Sequence, residues 1–238
     1  MVTTSWDDGH RFDTRLAALL KHYGLTGTFY VCPHDQEWKR QELLHPEELR
    51  AIADDFEIGG HTMTHPHLTR IPLAQASDEI ERSKRYLEDV LQRDITAFCY
   101  PYGHYNSQVK RLVQQHGYML ARTTRRYAFD VPHDPFEMAT SFHTYAHYSD
   151  LPTIFRFSHW SLAQMKTYWD WEQLAIALFE RTCQQGGLFH LWGHSWELEK
   201  TNGWQKLERV LAYIATMSHV VHQTNTEALT TLQRKVHL

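Results

Sequence analysis

His61 and His65, two histidines four residues apart, have residue types and a spacing that could bind a metal ion. Two imidazoles at this spacing can reach one metal ion from a helical turn or a tight loop. The preceding Gly59-Gly60 pair lets the backbone turn sharply, and Pro66 disfavours helix at His65, so we expect a constrained loop to present both rings. Because the chain has 18 histidines, such pairs also arise by chance, and the motif needs support from elsewhere.

That support comes from two adjacent carboxylates, Asp7 and Asp8, which follow a short apolar run. Alone, Asp-Asp-Gly is an ordinary turn sequence, but neighbouring carboxylates repel each other unless a cation or a proton holds them. Combined with the histidine pair, one aspartate completes an Asp-His-His site that leaves positions open for water and substrate, and the other is free to act as a base. The sequence therefore predicts one divalent cation, with zinc as the default and cobalt, nickel, manganese or iron as alternatives.

The elements that must position these residues alternate between short apolar strands and amphipathic helices. No linker or repeat interrupts the alternation, which predicts one domain over residues 1–238. Residues 125–168 lack a steady period and are expected to form long loops over one face. The predicted strands are 2–6, 28–31, 56–58, 97–100, 118–123, 188–192 and 220–222, and the predicted helices are 11–23, 46–55, 72–91, 106–116, 171–185, 204–217 and a terminal one.

Such alternation is typical of the α/β class and fits either a closed barrel or an open doubly wound sheet. The motif positions favour the barrel, because barrel enzymes gather catalytic groups beyond the C-terminal ends of their strands. We therefore expect a distorted (β/α)7 barrel of the TIM-barrel type. The residues that follow four different predicted strands are Asp7-Asp8, His61, Pro101-Tyr102 and His194.

Composition excludes several other classes of protein. Lys and Arg total 24 against 28 Asp and Glu, a net charge of −4 without a basic stripe, so nucleic acid is not an expected partner. Three cysteines without CxxC spacing indicate neither a disulfide framework nor a cysteine zinc site. No apolar run approaches the ~20 residues of a membrane span, and the chain as written lacks a signal peptide, which predicts a cytoplasmic protein unless an export signal was removed. Oligomeric state is not indicated.

Taken together, the motifs resemble those of the polysaccharide deacetylases of carbohydrate esterase family 4, the NodB-homology domain. The resemblance spans residues 1 to about 217 and rests on the joint order and spacing of four motifs. The family has T-F-D-D-G, H-S/T-x-x-H, R-x-P-Y-G and a late L-x-x-H-like segment. The corresponding segments here are Ser5-Trp6-Asp7-Asp8-Gly9, His61-Thr62-Met63-Thr64-His65, Cys99-Tyr100-Pro101-Tyr102-Gly103 and Leu191-Trp192-Gly193-His194.

The resemblance implies a metal-dependent hydrolase that removes N-acetyl groups from an acetamido sugar or polysaccharide and releases acetate. Asp7 would take a proton from water, the water oxygen would attack the acetyl carbonyl, and the acid would protonate the leaving amine. Trp196 directly follows the acid histidine and offers a ring on which a sugar could stack. The implied roles are Asp7 as general base, Asp8, His61 and His65 as metal ligands, the Tyr102 amide as oxyanion donor, His194 as general acid, and Pro101, Tyr102 and Trp196 as substrate-binding residues.

Two departures from the family pattern concern the partners of the base and of the acid. Cys99 stands where the family has the arginine that tethers the base, and a thiol cannot carry a fixed positive charge. Another cation, for which Arg122 is the candidate, could reach the same place, or Arg122 pairs elsewhere on the surface. The acidic residue that supports the acid histidine in the family has no convincing equivalent, since Asp170 reads as a charge at a helix start.

His190 is a rival for the acid role, because it lies four residues before His194 in the same apolar run. We favour His194, since His190 falls inside the predicted strand and His194 follows it at the rim. His143 and His147 could also reach the site, although loop histidines are more often surface or structural groups.

Two other functions remain open at this point. The Cys99 position and the absence of a signal peptide in the chain as written make a second function credible, a related metal-dependent amidohydrolase on a non-sugar amide or a lipid-linked sugar. Loss of the motif arginine is also compatible with a non-catalytic metal- and glycan-binding protein, although retention of Asp7 and His194 argues for catalysis.

Overall fold

Seven parallel strands form a curled sheet with the order β5-β4-β3-β2-β1-β7-β6 in the computed structural model, which describes residues 1–130, 132–158 and 161–236. The helices pack around this sheet, and the predicted distorted (β/α)7 barrel is confirmed. The strands are β1 Val2–Asp8, β2 Thr28–Val31, β3 Glu57–Gly60, β4 Ala97–Cys99, β5 Leu120–Arg122, β6 Phe142–His143 and β7 Phe189–Gly193.

The segment around β6, residues 138–144, connects the edge strand β5 to β7. At its start, the Met138 amide donates to the carbonyl of Ala121 on β5 at 3.0 Å. At its end, the amides of Ser141 and Thr144 donate to carbonyls of β7, each at 2.9 Å. Because one segment bonds to β5 and to β7, it brings the carboxyl ends of these two strands around the same interior.

Ten α-helices are found in the described part of the chain. The prediction of long loops over 125–168 is wrong in part, because this region holds β6 and two seven-residue helices that are too short to show a period; residues 131, 159 and 160 within it lie outside the described residues. The helices are α1 Asp13–His22, α2 Pro46–Ala53, α3 Leu73–Leu91, α4 Ser107–Gln115, α5 Leu151–Phe157, α6 Leu162–Tyr168, α7 Trp171–Gln185, α8 Ser195–Lys200, α9 Trp204–Ala215 and α10 Asn225–Val236.

Large apolar side chains of the strands are buried, as expected for parallel strands that are covered on both sides. Trp6, Phe29, Phe98 and Phe189 have no exposed surface. Helices add apolar side chains to this core, such as Leu16 and Leu20 of α1. This packing fixes the strand ends from which the polar motifs emerge.

The start of α10 is bonded to the barrel end opposite the polar motifs. Asn225 is fully buried; its side-chain oxygen accepts from the Thr3 hydroxyl at 2.7 Å, and its amide nitrogen donates to the Tyr30 hydroxyl at 2.8 Å. The predicted strand 220–222 that precedes it is wrong in extent, because only His222 forms a single bridge, to Val2. Side-chain bonds of Asn225 thus attach this end of the chain to β1 and β2.

Replacing Asn225 by Leu should lower the free energy of unfolding by about 2–4 kcal/mol, because the hydroxyls of Thr3 and Tyr30 would lose a buried partner. Urea unfolding followed by circular dichroism measures this change. Thr230→Ala on the same helix is the control, since the Thr230 hydroxyl bonds only within α10, to the Thr226 carbonyl at 2.8 Å. Equal stability of the two variants would contradict the assigned role of Asn225.

Candidate metal centre and acid–base pair

Three side chains bring possible metal-ligand atoms together at the carboxyl end of the sheet. Asp8 is the last residue of β1, His61 follows β3 directly, and His65 lies in the loop that continues from it. Asp8 Oδ1 is 3.6 Å from His61 Nε2 and 3.7 Å from His65 Nε2, and the two nitrogens are 3.2 Å apart. Two donors that each lie about 2.1 Å from a shared ion can be at most about 4.2 Å apart, so the three separations fit one cation.

Hydrogen bonds orient these ligand atoms toward each other. His61 Nδ1 is 2.8 Å from the carbonyl oxygen of Cys99 and donates to it, which turns Nε2 toward Asp8. Asp8 Oδ2 accepts from the indole nitrogen of Trp196 at 2.8 Å. Among the described residues nothing hydrogen-bonds to the buried Asp8 Oδ1, a carboxylate oxygen that a cation would satisfy. The donor set therefore fits a divalent metal.

The histidine loop adopts strained backbone conformations that a buried glutamate stabilises. Thr62 and His65 have φ of 65° and 59°, which side-chain-bearing residues rarely adopt. Glu79 of α3 accepts the backbone N–H of Met63 at 3.0 Å and that of Thr64 at 2.8 Å. Sequence reasoning missed Glu79, because its partners are backbone groups in a distant loop. The loop itself is as predicted, with neither histidine in a helix.

Asp7 is 2% exposed, and its two carboxylate oxygens have different surroundings. Oδ1 accepts a hydrogen bond from Arg122 Nη2, while Oδ2 lies 3.8 Å from Cys99 Sγ and 4.0 Å from His194 Nε2. Burial alone would raise the pKa of Asp7, but Arg122, His61 and His194 outweigh it and hold that pKa below its ordinary value. Arg122 therefore does not pair on the surface, and the hypothesis that it replaces the missing cation agrees with this contact.

His194 follows β7 and is held by Glu197, one turn into α8. Its Nδ1 donates to Glu197 Oε2, and the same oxygen is 2.9 Å from His143 Nε2. Burial lowers the pKa of His194, but the carboxylates of Asp8, Glu197 and Asp7 outweigh this effect and raise the pKa to about 9. These carboxylates favour the protonated form of His194, which is the form that a general acid needs.

Glu197 is the supporting acidic residue that the sequence did not reveal. It stands three residues after His194, a spacing at which side chains on a helix are neighbours, and this was the available signal. Asp170 instead caps α7: its side chain accepts a hydrogen bond from the Glu172 backbone N–H at 3.1 Å. This agrees with the prediction that Asp170 is a charge at the start of a helix.

The other histidines occupy distinct positions. His190 lies inside β7 with Nε2 2.8 Å from Ser5 Oγ and Nδ1 3.2 Å from the Ala139 carbonyl, so both nitrogens are bonded away from the cleft. Burial lowers the pKa of His190 to about 3. His143 and His147, expected more often at the surface, both line the cleft and are 2.7 Å apart through Nδ1 and Nε2.

A cleft of about 550 Å³ contains these groups. Tyr102, 39% exposed, lines its rim and donates through its hydroxyl to Glu37 at 2.6 Å. The ring centroids of Trp196 and His194 are 5.2 Å apart. Pro101 is buried at the start of the short turn that carries Tyr102. The lining residues are Asp7, Asp8, Glu37, His61, His65, Tyr102, Thr124, Arg126, His143, His147, Trp192, His194, Trp196 and Glu197.

Glu197→Gln should lower the pKa of His194 from about 9 by about one unit or more, because the substitution removes a negative charge that stabilises the imidazolium. NMR titration of the His194 ring in metal-free protein measures the shift. Glu199→Gln, on the same helix but bonded to Trp204 at 2.7 Å, is the matched control and should leave that pKa in place. An equal His194 pKa in both variants would contradict the assignment of Glu197 as a residue that raises this pKa.

Curated relatives match about half of the chain. It is 26% identical to YxkH of Bacillus subtilis (strain 168) over 125 residues, 52% of this chain and 44% of that protein. It is 26% identical over 112 residues to the peptidoglycan-N-acetylmuramic acid deacetylase PdaC of the same organism, 46% of this chain and 23% of the relative. The chain thus spans less than half the length of these relatives.

Solved structures agree over most of the fold. A family 4 carbohydrate esterase from Streptomyces lividans, solved with acetate, has a TM-score of 0.54 at 19% identity, over 90% of this chain and 88% of that one. The Xyl-CE4 domain of a multidomain xylanase, from the hindgut metagenome of Trinervitermes trinervoides, reaches 0.62 at 14% identity, over 97% and 89%. At these identities the likeness shows the fold. The family model described as polysaccharide deacetylase matches residues 1–121, just over half of the 238 residues, and the chain therefore belongs to the polysaccharide deacetylase family.

Proposed function

We propose that this protein is a metal-dependent hydrolase that removes N-acetyl groups from an acetamido sugar or polysaccharide and releases acetate. One observation carries the proposal: three possible metal-ligand atoms converge beside a carboxylate, Asp7, and an imidazole, His194, within one cleft. Amide hydrolysis by activated water needs a base, an acid and a means to stabilise negative charge, and this site offers a candidate for each.

Asp8, His61 and His65 would hold the cation. When bound, the cation supplies Lewis-acid chemistry that acidifies water and polarises a carbonyl group. Two imidazoles and one carboxylate suit zinc, and the same set accepts cobalt, nickel, manganese or iron. Asp7 is proposed as the base and not as a ligand: Arg122 bonds to its Oδ1, and its Oδ2 lies on the side of His194.

Asp7 and His194 divide the proton transfers between them. Asp7 Oδ2 accepts a proton from water, and the water oxygen then bonds to the acetyl carbon. His194 Nε2, 4.0 Å from Asp7 Oδ2, donates its proton to the nitrogen as the carbon–nitrogen bond breaks. Acetate and a free amine are the products, and the Tyr102 amide is proposed to stabilise the carbonyl oxygen while it carries negative charge.

A carbohydrate substrate agrees with the aromatic residues that line the cleft. Trp196 and the exposed Tyr102 present ring surfaces beside the ligand atoms, and sugar rings bind to such surfaces. PdaC is named as a deacetylase of a peptidoglycan sugar, and the Xyl-CE4 domain comes from a xylanase.

We propose residues 1–238 as one catalytic domain. In the part of the chain that the structure describes, no helix has the length and apolar character required to cross a membrane.

Removal of metal should reduce acetate release from acetylated chito-oligosaccharides more than about tenfold, because the donor set would lose the cation that activates water. Metal analysis of chelator-treated protein and an acetate assay give the result. Zinc or cobalt should restore the activity. Calcium, which prefers oxygen ligands, is the control and should not. Full activity in protein shown to be metal-free would refute the metal's role.

Asp7→Asn and Asp8→Ala should separate proton transfer from metal binding. Asp7→Asn should keep the metal and lower kcat about 100-fold or more, since the amide cannot accept the proton. Asp8→Ala should lose both the metal and the activity. Stoichiometry and kcat are measured on the same preparations, with Asp54→Asn, an exposed residue outside the cleft, as control. Loss of metal in Asp7→Asn would show that Asp7 is a ligand instead of the base.

A further inference from the structure

The register of β4 and β5 makes Cys99 and Arg122 direct neighbours. The two strands are parallel, and Ala97 pairs with Leu120, Phe98 with Ala121 and Cys99 with Arg122. Paired residues of adjacent strands point to the same side of a sheet. Both side chains of the last pair therefore reach the same carboxylate, Asp7, from neighbouring strands.

The two side chains contact different oxygens of Asp7 and differ in what they can donate. Arg122 Nη2 donates to Oδ1, while Cys99 Sγ lies 3.8 Å from Oδ2. A thiol is a weak donor without charge, whereas a guanidinium makes a charge-assisted bond. The contact that fixes the carboxylate therefore comes from β5.

Arg122 is buried at a cost that packing alone does not explain. It has no exposed surface, and its guanidinium carbon lies 4.6 Å from the Trp192 ring centre and 5.4 Å from that of Tyr30. Its Nε and Nη1 have no hydrogen-bond partner among the described residues, and its ion pair is with Asp7. An apolar side chain would fill such a space with less loss of solvation. The burial of a cation here points to a use for its bond to Asp7.

We propose that Arg122 is the positioning residue of the base: its bond to Oδ1 sets the carboxylate plane of Asp7 so that Oδ2 faces His194 and the cleft. The effect that this inference predicts on catalysis rests on the proposed function. Because Cys99 and Arg122 are register partners, the position of the guanidinium in space matters and the strand that carries it does not. An arginine at position 99 with a cysteine at 122 should therefore restore part of the hold on Asp7.

Kinetics of Arg122→Leu and of the exchange variant C99R/R122C test this inference. We expect Arg122→Leu to lower kcat about 100-fold with KM changed less than about threefold and metal content unchanged, because a misplaced base affects proton transfer and not binding. The exchange variant should regain at least about tenfold of that loss. Arg125→Leu, an exposed arginine three residues further along, is the control and should retain the wild-type kcat.

Either of two results would overturn the inference: Arg122→Leu with kcat within about threefold of wild type, or a folded, metal-loaded exchange variant no more active than Arg122→Leu. If Arg122→Leu does not fold, Arg122→Lys takes its place. The lysine keeps the charge without the planar fork, and we expect kcat to fall about tenfold at unchanged KM; an unchanged kcat overturns the inference.

A structural readout separates this inference from the proposed function. Should the wild-type protein release no acetate from any substrate offered, the proposed function fails, but the orientation of Asp7 can still be observed. Crystal structures of Arg122→Leu and of the exchange variant should show Oδ2 turned away from His194 in the first and restored in the second. An Asp7 carboxylate that keeps its orientation in Arg122→Leu contradicts the positioning role.

Discussion

Two adjacent carboxylates that lie buried at the end of β1 are the constraint on which the site depends. Asp7 and Asp8 are 2% and 5% exposed, so each has lost most of its contact with water and lies next to a like charge. Such groups are stable as anions only where cations or donors replace the water. Arg122 supplies a cation to Asp7, and His61, His65 and His194 surround Asp8. Within the described part of the chain, nothing hydrogen-bonds to Asp8 Oδ1, an oxygen that a cation would satisfy.

The barrel delivers these compensating groups because its strands are parallel. Parallel strands end at the same edge, so residues distant in the chain meet there: Asp7 from β1, His61 after β3, Arg122 at the end of β5 and His194 after β7. The segment around β6 bonds to both β5 and β7, the strands that end at Arg122 and immediately before His194. Buried Glu79 of α3 supports the strained loop that carries the histidines. Position at the sheet edge and local support together give the separations that one cation can bridge.

The partners of Asp7, the proposed base, and of His194, the proposed acid, come from places that the family motifs do not indicate. The cation on Asp7 lies on β5 instead of β4, and the carboxylate on His194 belongs to the helix that follows it. A hydrogen bond depends on distance and direction and not on the strand that supplies the donor. A chain can therefore keep an electrostatic contact while it changes the residue that makes it, provided that both residues reach the same point.

The sequence by itself determined the strand-end motifs, the candidate ligands Asp8, His61 and His65, and the barrel class, because these follow from local spacing and from the alternation of short elements. It also identified Cys99 as the departure from the family motif and Arg122 as the candidate for the missing cation. Only the tertiary structure decided that Arg122 reaches Asp7, that Glu197 holds His194, and that β6, α5 and α6 lie within 125–168. The physical reason is the same in each case. Strand register, barrel closure and the direction of a side chain arise from contacts between residues far apart in the chain, and no local pattern records them.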